Sequence, residues 1–290
     1  MAIFQIGNGK ITIQVDSFGA ELKSLKRTDK DMEYMWEGDP AYWKRTSPVL
    51  FPFVGGLQDG TYRYKGSDYP MGQHGFARDM ECKLVSQTAH ALWFELSSDE
   101  KTMEKYPFAF LLELGYELED YTVHVKWRVK NSSVDDMYFS IGAHPAFVCP
   151  INKEGRQSDY KLGFDTDGKL EVGLLQNGLI SGETKTYPLK KSCLQITKHL
   201  FDGDALVIEH DQAHKVSLIA PDGKPYVTVG FDAPLFGIWS PPGKNAPFIC
   251  IEPWYGRCDR AGFTGTLEER EWEMCLKAGE VFDASYTISI

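Results

Sequence analysis

Four short segments carry polar side chains where the surrounding pattern calls for apolar ones, and chemistry is expected there. YFSIGAHPAFVCP (138–150) reads as an apolar strand, Tyr138 to Ile141, running into a Gly-Ala-His-Pro bend. Gly142, Ala143 and Pro145 remove bulk around His144, and the proline biases it toward extended backbone. Its imidazole, with an ordinary pKa of about 6.5, is a natural acid or base at neutral pH. FICIEPWYGRCDR (248–260) puts Glu252 at the end of an apolar strand, before Pro253, Trp254 and Tyr255. A carboxylate in that setting is either paired or a base with a raised pKa. The adjacent aromatic rings suit the C–H faces of a sugar.

The other two segments are more open. In MGQHGFARD (71–79), His74 lies between Gly72 and Gly75, with Arg78 nearby. The glycines let backbone and ligand approach closely; the plain alternative is a solvated loop histidine. In WKRTSPVLFPFVGGL (43–57), Arg45 precedes an apolar run that two prolines and a Gly-Gly keep from being a regular strand. It is either a surface arginine beside an edge strand or a donor to ligand oxygens from a pocket floor. His90, His124, His199, His210 and His214 fall in ordinary strand or loop contexts. His210 and His214 are four apart, but in a polar turn, EHDQAHK, so no metal pair is expected. There is no G-x-S-x-G, P-loop, H-E-x-x-H or G-x-G-x-x-G.

These residues need a scaffold, and its strongest signal is period-2 alternation in short runs rich in Val, Ile, Tyr, Phe and Thr. KITIQV (10–15), ECKLVSQTAHALWFELSS (81–98), FLLELGYELEDYTVHVKWRVKNSS (110–133) and FDASYTISI (282–290) show it, as do ALVIEH, KVSLIAP, YVTVGF, FGIWSP and FICIEPW. TYRYKGSDYPM (61–71) predicts a hairpin turning at 65–68. A turn or two of helix is predicted within 98–107, stopped by Pro107, and TLEEREWEMC (266–275) is predicted as strand. Many short strands with Gly, Pro and Asp turns predict an all-β sandwich with few short helices. No linker, repeat or low-complexity segment divides the chain, so residues 1–290 are expected to form one domain.

Hydrophobic residues make up 42% and charged residues 25% of the 290, as in ordinary soluble proteins. A chain this long buries about three-quarters of its unfolded surface and needs no metal or disulfide to hold a core. A net charge of −10 argues against nucleic acid or an anionic membrane as partner and leaves room for a small neutral molecule. The six cysteines form no C-x-x-C pair and no zinc-finger spacing, so reduced thiols and a cytoplasmic location are expected. The opening residues lack a signal peptide's features, and no window approaches about 18 apolar residues.

The blocks SPVLFPFVGGL, QHGFARD, GAHPAF, FDGDALVI, GIWSPPG and FICIEPWYG, in this order, resemble the aldose 1-epimerase (galactose mutarotase) family, most of all its LacX-like branch. The resemblance covers essentially the whole chain. It implies a large antiparallel β-supersandwich binding a hexose, such as galactose or glucose, in an open cleft without a cofactor. By that resemblance His144 is the general acid and Glu252 the general base. His74 binds the ring-oxygen side of the sugar, Arg45 is a substrate-binding arginine, and an aspartate of FDGDALVI binds hydroxyls. Asp204 fits better than Asp202, and both stay open. The segment around Arg45 and QHGFARD depart from the galactose-specific branch, so Arg45 and Arg78 leave a hexose 6-phosphate as an alternative substrate. A non-catalytic sugar-binding protein of the same fold is the alternative from another class. A monomer or homodimer is expected.

Overall fold

The computed structural model describes residues 2–153 and 155–290. Alternation in sequence becomes alternation in burial. In the strand Thr122–Asn131, Val123, Val125, Trp127 and Val129 point into the core, while Arg128 and Lys130 face solvent. This strand pairs along its whole length with Phe110–Glu119, from Phe110↔Asn131 to Glu119↔Thr122.

These two strands lie within a nine-stranded antiparallel sheet. Its order is Cys193–Gln195, Lys161–Phe164, Lys215–Ile219, Pro225–Phe231, Val281–Ser289, Thr122–Asn131, Phe110–Glu119, Ala91–Ser97 and Lys83–Gln87. An eight-stranded sheet runs Leu179–Pro188, Lys169–Gln176, Leu206–Ile208, Leu235–Trp239, Phe248–Tyr255, Ile141–Ala143 and Val49–Leu50, with Ala146–Val148 also on Phe248–Tyr255. Both sheets feed one apolar core, with Tyr255 of the eight-stranded sheet set edge-on to Trp127 of the nine-stranded one. A four-stranded sheet from Ile3 to Glu33 joins the same core. The expected antiparallel β-supersandwich is what forms. The α-helix is Glu100–Lys105, capped by Asp99, as the 98–107 pattern predicts.

Three local expectations need correction. Residues 266–275 are mostly not strand: Leu267–Glu269 is a 3-10 turn, and only Met274–Leu276 pairs, with Met137–Phe139. Arg270 turns inward there to pair with buried Asp259 and Glu273, and the segment folds around that ion pair instead of extending. There is no turn at Gly142–Pro145 either. Backbone pairing breaks at Ser140, resumes over Ile141–Ala143, breaks at His144–Pro145 and resumes over Ala146–Val148. Glu252 is not at a strand end but in the middle of Phe248–Tyr255. Pro253 is tolerated inside that strand because one neighbour is interrupted alongside it.

Candidate active site

The interruption builds the site. Gly142↔Trp254 on one side of the break and Ala146↔Cys250 on the other hold the same register, which sets His144 directly across from Glu252. Cross-strand neighbours project to one face, and His144 Nε2 lies 3.2 Å from Glu252 Oε2. Along Phe248–Tyr255, Ile249 and Ile251 enter the main core, while Phe248, Cys250 and Trp254 join two smaller clusters on the opposite face. Glu252 shares that opposite face and is 1% exposed, its Oε2 facing His144 Nε2.

His74 reaches the same place from a strained loop. Its φ is +66°, and it exchanges two bonds with Gly55: its own N–H donates to the Gly55 carbonyl, and the Gly55 N–H donates to His74 Nδ1 at 3.0 Å. An accepting Nδ1 fixes the tautomer, so Nε2 carries the proton and His74 presents a donor. Gly75 is obligatory: φ is +67°, and a Cβ there would sit 2.3 Å from the Phe51 carbonyl oxygen.

Glu21 Oε1 accepts the N–H groups of Thr46 and Ser47, and the N–H groups of His144 and Ala146 donate to Pro48 and Thr46. This anchors the chain that carries Trp43, Lys44 and Arg45. Trp43 lies over the His144 ring at 4.7 Å between centroids, and Trp239 meets it edge-on at 5.5 Å. Arg45 Nη2 donates to Asp79 at 2.8 Å, and Arg78 Nη2 to the Gln73 carbonyl at 2.6 Å, with Arg78 Nε 3.8 Å from Asp79.

Together these groups line a cleft of about 500 Å³. It brings together His144, Glu252, His74, Arg45, Arg78, Asp204 and Trp254, but not Tyr255, which turns to the other face and packs in the main core against Trp127 and Phe282. Asp204 is the aspartate of FDGDALVI that faces it. Asp202 is held by His199 at 2.7 Å and lines a separate hollow. Trp254 does not offer a ring face. Its indole lies between Gly142 and Gly237, where a Cβ would come within 2.7 and 2.4 Å of the ring, and its buried Nε1–H faces the Glu252 carboxyl. The half-buried faces belong to Trp43 and Trp239, which sequence reasoning passed over although both stand inside the quoted blocks. Lys44 lines the cleft beside Arg45, and Gln73, Leu175 and Gly178 also line it unforeseen.

Burial dominates the electrostatics. It pushes His144 down to about 3, helped by the Arg78 and Arg45 charges, and holds His74 well below its ordinary value. It pushes Glu252 well above the usual carboxylate range, and Asp204 adds to the rise. The free pair therefore holds one proton, on the carboxyl. An imidazolium at rest, as an acid role for His144 suggests, is disfavoured. The ligating atoms of His144, Cys250 and Glu252 all lie within 4.8 Å of one another, the one such group found among the described residues.

The profile of the family described as aldose 1-epimerase matches residues 2–289. Protein LacX, chromosomal, of Lactococcus lactis subsp. lactis is 29% identical, covering 99% of this chain and 98% of that protein. The crystal structure of a galactose mutarotase related enzyme from Lactobacillus acidophilus superposes with a TM-score of 0.94 at 33% identity, covering 99% of this chain and 97% of that one. A galactose mutarotase-like protein from Lactobacillus casei gives 0.93 at 30% identity, covering 99% of both chains.

Proposed function

The chain belongs to the aldose 1-epimerase family, and on that premise we propose that it interconverts the α and β anomers of a hexose such as galactose or glucose. The observation that carries this is the His144–Glu252 pair, facing at 3.2 Å across a strand break at the floor of a cleft. Anomerisation requires O1 to lose a proton while the ring oxygen gains one. Glu252 as base takes the O1 proton, His144 as acid gives one to O5, and the C1–O5 bond breaks to the open aldehyde. Rotation about C1–C2 and closure with the roles reversed yields the other anomer. Each transfer contributes about 10²–10⁴-fold. The resting proton on Glu252 reaches this working form by crossing to His144. A sugar hydroxyl donating to the carboxylate favours that transfer, because hydrogen bonding to the charged form lowers an acid's pKa.

His74 Nε2–H, Asp204, Arg45, Arg78 and the Trp254 indole N–H are assigned to the sugar's oxygens, and Trp43 and Trp239 to its C–H faces. The steps are redox-neutral and balance with the two protein groups alone. We place the protein in the cytoplasm, as monomer or homodimer. A second reading, a hexose 6-phosphate, is favoured by Lys44, Arg45 and Arg78, which all line the cleft.

Polarimetry on fresh α-D-glucose and α-D-galactose, with exchange NMR on the 6-phosphates, tests the proposal. Acceleration is expected for a free sugar, falling by about 10²-fold or more in Glu252→Gln and His144→Ala. Acceleration of a 6-phosphate alone would move the assignment to the second reading. Sugar-dependent tryptophan quenching without faster exchange would leave a binding protein.

A further inference from the structure

We propose that His144, Cys250 and Glu252 form a binding site for a soft divalent cation of the zinc type, whose occupation blocks the acid–base pair. Cys250 and Glu252 stand two residues apart on one strand and so project to the same face. His144 joins them from across the strand break, and all three ligating atoms fall within 4.8 Å. Thiolate, imidazole and carboxylate are the donor types zinc takes, and three protein ligands with one open position is a recurrent zinc arrangement. Donors around a tetrahedral zinc, with bonds of about 2.0–2.3 Å, lie roughly 3.3–3.8 Å apart. An inward shift of about 1 Å gathers the three.

Charge supports the same reading. The site is buried, and isolated charge is costly there. A dication with one thiolate, one carboxylate and one neutral imidazole sums to zero, so it lets both acids ionise without leaving net charge in the interior. Glu252 Oε2 is fully enclosed and faces His144 Nε2 at 3.2 Å, two ligand atoms already close to the spacing a bound cation requires. Entry is from the cleft, which His144 and Glu252 line, and Cys250 is fully buried behind them. Asp204 on the cleft wall favours the cation, and Arg45 and Arg78 oppose it, so binding is moderate and reversible. The cation takes the His144 and Glu252 atoms that move protons, which makes it an inhibitor rather than a helper. That consequence rests on the epimerase reading; the binding does not.

Cobalt(II) is the probe. Titrated into the metal-free protein, it is expected to bind one per chain and to give a near-ultraviolet thiolate-to-cobalt band, which zinc abolishes by competition. Cys250→Ser and Cys250→Ala should lose the band and weaken cobalt binding by about tenfold or more. Cys275→Ser, which removes an exposed thiol elsewhere, should keep both, and circular dichroism reports whether each variant is folded. No thiolate band in the wild type, or equal cobalt affinity in a folded Cys250 variant, overturns the site. In polarimetry, zinc should inhibit at the concentrations that fill the site; full activity with the site filled overturns the inhibition. If the metal-free protein accelerates no sugar, the epimerase reading fails while the cobalt spectrum still decides the site.

Discussion

At the scale of single residues, the His144–Glu252 pair ties function to stability. Unfolded, Glu252 titrates near 4.5 and His144 near 6.5; folded, the order is reversed, with His144 at about 3 and Glu252 well raised. Between pH 4.5 and 6.5 both states hold one proton on the pair, so it adds no pH dependence there. Above 6.5 the unfolded chain has none, while the folded pair keeps one until pH passes the raised pKa of Glu252, so stability falls as pH rises through that window. The slope reaches about 1.4 kcal/mol per pH unit. Below 4.5 the unfolded chain holds two against one, and stability falls again. His74, folded with a lowered pKa, adds its own loss as pH drops below 6.5. Glu252→Gln removes the alkaline limb. Its melting temperature should therefore exceed the wild type's at pH 8.5 by more than at pH 6, while activity is lost. Parallel curves at the two pH values would show that Glu252 is not held protonated by the fold. This is the usual conflict between a strained site and stability.

At the scale of elements, positioning depends on backbone that only certain residues adopt. Gly75→Ala illustrates it. The left-handed φ costs roughly 1–3 kcal/mol, and the new Cβ would meet the Phe51 carbonyl 2.3 Å away, where backbone must move. Denaturant unfolding should show a loss at or above that range, and residual activity should show a raised KM because His74 is displaced. An unchanged midpoint would mean the loop relaxes freely. Much here was legible in the sequence. The glycines around His74 and the small residues around His144 mark irregular backbone in the sequence itself. The meaning of the irregularity was not legible. Apolar residues on both sides of Glu252 resemble a strand end, since period-2 reasoning expects one buried face; here both faces of Phe248–Tyr255 are covered. The break at His144–Pro145 resembled a turn because local sequence does not reveal the partner strand that keeps both halves in register. Trp43 and Trp239 gave no local signal, as their value comes from meeting at His144 across about two hundred residues.

At the scale of the molecule, alternation announced a β-sandwich, but strand order was not readable, because pairing partners far apart in sequence leave no local mark. The order has a consequence. Residues 83–131 build one side of the nine-stranded sheet and residues 161–231 much of the other. The strand joining them is Val281–Ser289, paired to Thr122–Lys130 on one edge and to Thr228–Phe231 on the other. Neither side can close its backbone hydrogen bonds until this strand arrives, and an open edge at mid-sheet invites association. We infer that residues 1–290 unfold as one cooperative unit, although the topology is dominated by non-local pairs that fold slowly. Calorimetry should give a single transition whose van 't Hoff and calorimetric enthalpies agree. Deleting residues 281–290 should yield aggregating chains without that transition, and with no epimerisation, even though every cleft residue is retained. Two resolved transitions in the intact chain, or a soluble and active truncation, would mean that the cleft-bearing sheet stands on its own.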